Sequence, residues 1–171
     1  MMSIRHDWLG GAGPAFFFVG GRNLGKPELT LIIGCGRLGS TLASTLSNES
    51  QNVILIDRQA EAFRKLSPSY AGLTLVGDAA NVEVLKQAQI EKADHLVIVT
   101  NHDNTNILIA QLAREIFQVP HVICRLYDPQ RECVYREFGI QTICPTTLSS
   151  QAIEQRLQAK AAADQKGSDT L

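Results

Sequence analysis

Three glycines stand in the order Gly34-Cys35-Gly36-Arg37-Leu38-Gly39, directly after the apolar run Leu29–Ile33 and at the head of a helical pattern. In that context each has a physical use. The first allows a tight turn out of a strand, the second lets main chain approach a pyrophosphate, and the third lets a helix lie close to the sheet. Free N–H groups at the helix start, with the positive end of the helix dipole behind them, would attract the anion. Arg37, inside the loop, is placed for a terminal phosphate or for solvent. The same spacing also serves a tight turn with no ligand.

Asp57 ends the next apolar run, Val53–Ile56, 18 residues beyond Gly39. An acidic side chain there can accept hydrogen bonds from both hydroxyls of an adenosine ribose, and its charge disfavours NADP by repelling a 2′-phosphate. It can equally cap a helix. Arg58 suits stacking on adenine, a 2′-phosphate or a solvated surface. Gly77-Asp78-Ala79 follows the third run. Asp78 there can accept from an adenine amino group while the Ala79 amide donates to a ring nitrogen, or Asp78 can act as an N-cap. Thr100 and Asn101 open the polar segment Thr100–Asn104, which suits contacts to ribose or phosphate, or a turn and helix cap. Arg125 ends the fifth run. It can meet a phosphate, a partner carboxylate or a surface counter-ion.

These residues need elements to hold them, and the elements are legible. Apolar runs at Leu29–Ile33, Val53–Ile56, Leu73–Val76, His95–Val99, Val122–Cys124 and Gln141–Cys144 read as six strands. Between them lie helical patterns over Arg37–Asn48, Ala60–Leu66, Val82–Ala88, a long one ending at Val119, and Pro129–Phe138. The apolar positions of the first are Leu38, Leu42, Ala43 and Leu46. Those of the long one are Ile109, Leu112, Ala113, Ile116 and Phe117. Strict alternation, with strands apolar on both faces, predicts an α/β fold: a doubly wound, Rossmann-like, six-stranded parallel sheet with helices on both faces. A last helix is expected over Thr146–Ala163, with a narrow stripe of Leu148, Ile153 and Leu157, and a polar tail from Asp164. Residues 1–27, rich in glycine and aromatics, read as an extension or linker, in which Phe16-Phe17-Phe18 can cover a patch or mediate association.

The chain has 171 residues, 16 basic and 17 acidic, a formal net charge of −1, with 44% hydrophobic residues. That suits one domain with a real core. It does not provide the cationic face that nucleic-acid binding needs. No apolar run reaches the roughly 18 to 20 residues that span a bilayer, so the expectation is a soluble, cytosolic protein. Cys35, Cys124, Cys133 and Cys144 form no C-x-x-C pair and are expected to be reduced, buried thiols. His6, His95, His102 and His121 are scattered, so no metal is expected, and no catalytic residue is singled out.

The strings LIIGCGRLGSTLA (Leu31–Ala43), ILID (Ile54–Asp57), LVGDAAN (Leu75–Asn81), IEKADHLVIVTNHDNTN (Ile90–Asn106) and GIQTICP (Gly139–Pro145) together resemble the TrkA-N, or RCK N-terminal, domain family. The resemblance covers residues 28–145 in order. It implies a cytosolic regulatory domain for potassium channels and transporters that binds NAD(H) or ATP/ADP and pairs into dimers, often in rings beneath a membrane-embedded pore. It also implies an adenine-nucleotide site lined by Gly34, Gly36, Arg37, Gly39, Asp57, Asp78 and Ala79. Cys35, Leu38, Arg58, Gly77, Thr100, Asn101 and Arg125 complete the candidate cofactor-binding set. Residues 146–171 read as a C-terminal crossover helix and polar tail, the Thr146–Ala163 helix resembling the crossover segment that leads to a second lobe. The expected mechanism is a ligand-dependent dimer rearrangement that biases an attached pore. The alternatives are a small NAD-dependent oxidoreductase, for which no Tyr-x-x-x-Lys pair or substrate domain is visible, and a scaffolding dimer with a vestigial pocket.

Overall fold

The structure, a computed structural model, describes residues 28–168. The expected N-terminal extension therefore lies outside the described residues. Six strands form one sheet: β1 (Leu29–Ile33), β2 (Asn52–Asp57), β3 (Leu73–Val76), β4 (His95–Ile98), β5 (His121–Arg125) and β6 (Gln141–Ile143). The order is β3-β2-β1-β4-β5-β6 and every pairing is parallel. This is the doubly wound α/β sheet that the alternation predicts, with its order reversing between β1 and β4. The helices are α1 (Arg37–Asn48), α2 (Val82–Gln87), α3 (Asp103–Gln111), α4 (Glu132–Glu137) and α5 (Pro145–Ser168).

Successive residues of a strand face opposite sides, and the central strands bury both. Leu31, Ile33, Ile54, Ile56, Leu96 and Ile98 pack on one face with Leu85 and Ile109. Ile32, Val53, Leu55 and Val97 pack on the other with Ala43 and Ala62. Each fully buried Leu or Ile contributes about 1.5–3 kcal/mol, so β1, β2 and β4 are the rigid base of the sheet edge above them.

Several expectations are corrected. β3 is an edge strand, not a doubly buried one: Leu73 is 63% and Val76 55% exposed. In α1 the buried residues are Gly39, Ser40 and Ala43, while Leu38 faces solvent. Ala60–Lys65 and Pro129–Arg131 are 3₁₀ turns, so the expected helix from Pro129 is α only over Glu132–Glu137. The expected long helix is α over Asp103–Gln111 and then widens into a π turn, Leu112–Ile116, which leaves Ile116 exposed. The helix ends at its C-cap, Phe117, and the chain turns off through Gln118, whose φ of +54° is left-handed. Arg114 Nη1 then holds the loop that follows, donating to the Val119 and Pro120 carbonyls, 3.0 Å each. α5 continues past Ala163 to Ser168, with Leu148, Ile153 and Leu157 all exposed in the single chain. Among the thiols, Cys35 and Cys124 are buried, but Cys133 is exposed and Cys144 half-buried. No helix among the described residues is long and apolar enough to cross a membrane.

Candidate functional site

The carboxyl ends of β1, β2, β3 and β4 open onto a cleft of about 470 Å³. Its floor is the loop Gly34–Gly36. Gly34 has φ +102°, and a Cβ there would come within 3.1 Å of the Thr100 amide nitrogen. Its own amide donates to the Ile56 carbonyl at 2.8 Å, turning the chain toward β2. A Cβ on Gly39 would overlap the Gly34 carbonyl oxygen, so α1 and the loop touch main chain to main chain. A Cβ on Gly36 would meet nothing within 4 Å: its open side faces the cleft. Gly36 is the N-cap of α1 and supplies no side chain to the first-turn amides. They remain available to an anion.

Asp57 secures this loop. Its Oδ2 accepts from the Cys35 amide at 2.6 Å and its Oδ1 from the Gln59 amide at 2.9 Å. It is therefore a brace for the turn and caps no regular helix. A carboxylate has about four acceptor positions, so both oxygens keep capacity for sugar hydroxyls. The Cys35 thiol points back into the protein and donates to the Ala62 carbonyl at 3.2 Å. Burial, then the nearby Asp57 charge, push this thiol's pKa up, against a lowering by Lys65.

Arg58 approaches Asp78 (Nε–Oδ2 4.0 Å) across the outer wall, in an exposed pair worth little in water. Asp78 Oδ1 accepts from the Ala80 amide at 3.0 Å, and Asn81, not Asp78, caps α2 through the Glu83 amide. Gly77 and buried Ala79 complete that side. His102, from the polar segment Thr100–Asn104, also lines the cleft, as do Gln59, Ala62, Lys65, Val99 and Thr105, none of these five singled out in the sequence. Lys65 Nζ donates to the Cys35 carbonyl at 3.4 Å. Only the succession of β2 and a 3₁₀ turn brings it there, which no local motif signals.

Thr100 and Asn101 form the opposite lip. Fully buried Asn106 supports it: its amide donates to the carbonyls of Thr100 (3.2 Å) and Arg125 (3.0 Å), and its oxygen accepts from the Thr100 hydroxyl. Asp103 is spent on the fold, accepting from the Tyr127 amide (3.0 Å) and the Asp128 amide (3.2 Å). Arg125 stacks 4.1 Å above the Tyr127 ring, and hydrogen-bonds to the Tyr127 hydroxyl and weakly to Asn101. Among the described residues no carboxylate lies within ion-pair distance of it. Arg37, Leu38, Gly39 and Arg125 are not on the cleft wall. A polar hollow of about 630 Å³, lined by Asp103, Asn104, Tyr127 and Arg131, continues from Asn101, His102 and Thr105 past β4. Among the described residues no cluster of three or more His, Cys, Asp or Glu side chains is arranged for a metal.

The family model for the TrkA-N domain matches residues 30–145. The potassium uptake protein TrkA of Streptomyces coelicolor is 39% identical over 127 residues, covering 74% of this chain and 57% of that protein. The TrkA of Vibrio alginolyticus is 32% identical over 135 residues, 75% of this chain and 30% of that one. The chain thus spans little more than half of the first relative and less than a third of the second. Among solved structures, the GsuK channel bound to NAD has a TM-score of 0.69 at 27% identity, covering 81% of this chain and 25% of that one. GsuK bound to ADP has a TM-score of 0.66 at 27% identity, covering 78% and 34%. The TrkA-N domain of the Escherichia coli inner membrane protein ybaL has a TM-score of 0.69 at 21% identity, covering 77% and 98%. The last shows the shared fold.

Proposed function

The chain belongs to the TrkA-N domain family, and from that membership we propose that it is a regulatory module that binds an adenine nucleotide, NAD(H) or ATP/ADP, and controls potassium transport. The supporting observation is the braced glycine loop: uncapped amides of α1 beside an open Gly36 face, with the turn pinned by Asp57. Gly34–Gly39, Asp57, Arg58, Gly77–Ala79, Thr100, Asn101 and Arg125 form the proposed site, with residues 28–145 as the binding unit and the helix after it as a crossover. GsuK structures with NAD and with ADP support a pocket that accepts the part common to both ligands. The negative charge of Asp57 disfavours NADP.

The module binds its ligand without turning it over. The acids on the cleft wall, Asp57 and Asp78, hydrogen-bond to main chain, and the Cys35 thiol is buried against the Ala62 carbonyl with its pKa raised first by burial. The chain works as a homodimer or ring in the cytoplasm, attached to a membrane-embedded channel or transporter. Nucleotide favours one arrangement of the protomers, and that differential affinity is what reaches the pore.

The test is calorimetric titration of the chain with ATP, ADP, NAD and NADH, with small-angle scattering on the same samples. We expect binding of at least one ligand and a changed scattering profile. Gly36→Val, which fills the open face, should abolish binding while the far-UV spectrum is kept. Failure of all four ligands at millimolar concentration overturns the reading.

A further inference from the structure

We propose that Lys65 is a phosphate-binding residue of this cleft, its ammonium exchanging the Cys35 carbonyl for a phosphate oxygen when nucleotide enters. The assignment rests on the nucleotide reading above. Lys65 ends the 3₁₀ turn after β2, and its side chain lines the same cleft as Gly34, Gly36 and Asp57. Its Nζ lies 3.4 Å from the carbonyl oxygen of Cys35, in the middle of the glycine loop. That partner is neutral and the contact long. Lys65 forms no ion pair among the described residues, whereas Arg58, the other cation on the wall, already faces Asp78.

A loop that holds a diphosphate through amides supplies partial charges only. A full positive charge within reach of the same loop supplies what the amides lack, and charge-assisted bonds to phosphate are about twice as strong as neutral ones. An ammonium is a compact point charge on a flexible stem, so moving from a carbonyl to a nearby anion needs only side-chain rotation. Cys35 itself is buried and Lys65 exposed, so the ammonium is the partner that moves, and the carbonyl it leaves needs a replacement donor, which an ammonium with three N–H groups or an entering water supplies.

The experiment compares adenosine, AMP and ADP binding to the wild-type chain, Lys65→Gln and Lys65→Arg, at two salt concentrations. For Lys65→Gln we expect about a tenfold loss for ADP, less for AMP, none for adenosine, and a weaker salt dependence. Lys65→Arg should restore much of the ADP affinity. An equal loss for adenosine and ADP overturns the proposal by showing that Lys65 only shapes the loop, and unchanged ADP affinity overturns it outright. A wild-type chain that binds neither AMP nor ADP overturns the nucleotide reading itself.

Discussion

Asp57 illustrates how one side chain serves fold and site together. Its position at the end of an apolar run is visible in the sequence, and so is its fitness to hold ribose hydroxyls. Its bonds to the Cys35 and Gln59 amides are not, because they depend on the path of two loops after they leave the sheet. The consequence is testable. Asp57→Ala removes the acceptor of two amides, one of them on buried Cys35, so it should destabilise the ligand-free protein by about 1–3 kcal/mol, in addition to weakening nucleotide binding. Urea unfolding without ligand measures the first effect and titration the second. An unchanged unfolding midpoint with weakened binding would show that the brace contributes nothing. Asn106 and Lys65 make the complementary point. Lys65 lies in no family string and Asn106 only closes the string Ile90–Asn106, with no role read for it, and only the coordinates place an amide across the ends of β4 and β5 and an ammonium at the glycine loop.

At the scale of elements, apolar runs locate the six strands of the described residues, and the helical intervals fall between them, though the 3₁₀ turn Ile90–Lys92 before β4 is not among them. Failures fall where local pattern does not determine burial. The run Leu73–Val76 reads like the central strands, yet β3 has a neighbour on one side only, and Leu73 and Val76 stay exposed. Sequence shows which residues favour a strand but not which strand ends at the sheet's edge. The π turn is similar. One extra residue shifts the apolar face of the helix by about 100°, so Ile116 falls outside it although its spacing fits. The contrast between strands gives a prediction. Leu96 of β4 is fully buried, so Leu96→Ala should cost about 2–5 kcal/mol. Leu73→Thr on β3 should stay within about 0.5 kcal/mol. Thermal melts of the two variants decide it, and a large loss at Leu73 would mean that β3 is covered in solution.

For the molecule as a whole, buried weak acids determine its response to alkali. The Cys124 thiol is pushed up to about 12, first by burial and then by the Asp103 charge. The Tyr70 and Tyr135 hydroxyls are also raised to about 12, again chiefly by burial. These groups ordinarily ionise near 9 for a thiol and 10 for a phenol. In each case the folded protein holds its proton to higher pH than the unfolded chain does. Above pH 9 the unfolded state therefore binds fewer protons, and stability falls as pH rises. The contribution is complete below pH 9 and is lost progressively toward pH 12. Tyr135 couples the parts that must hold together for this to be cooperative: its ring is fully buried, and its hydroxyl donates to the Asp103 carbonyl at 3.1 Å, fastening α4 to the start of α3. Tyr135→Phe removes one of these titrating groups and that bond, so it should lower stability at pH 7 by about 0.5–1.5 kcal/mol while flattening the decline between pH 10 and 12. Chemical unfolding at a series of pH values reads both effects. A variant with the same alkaline slope as the wild type would show that Tyr135 ionises as readily folded as unfolded.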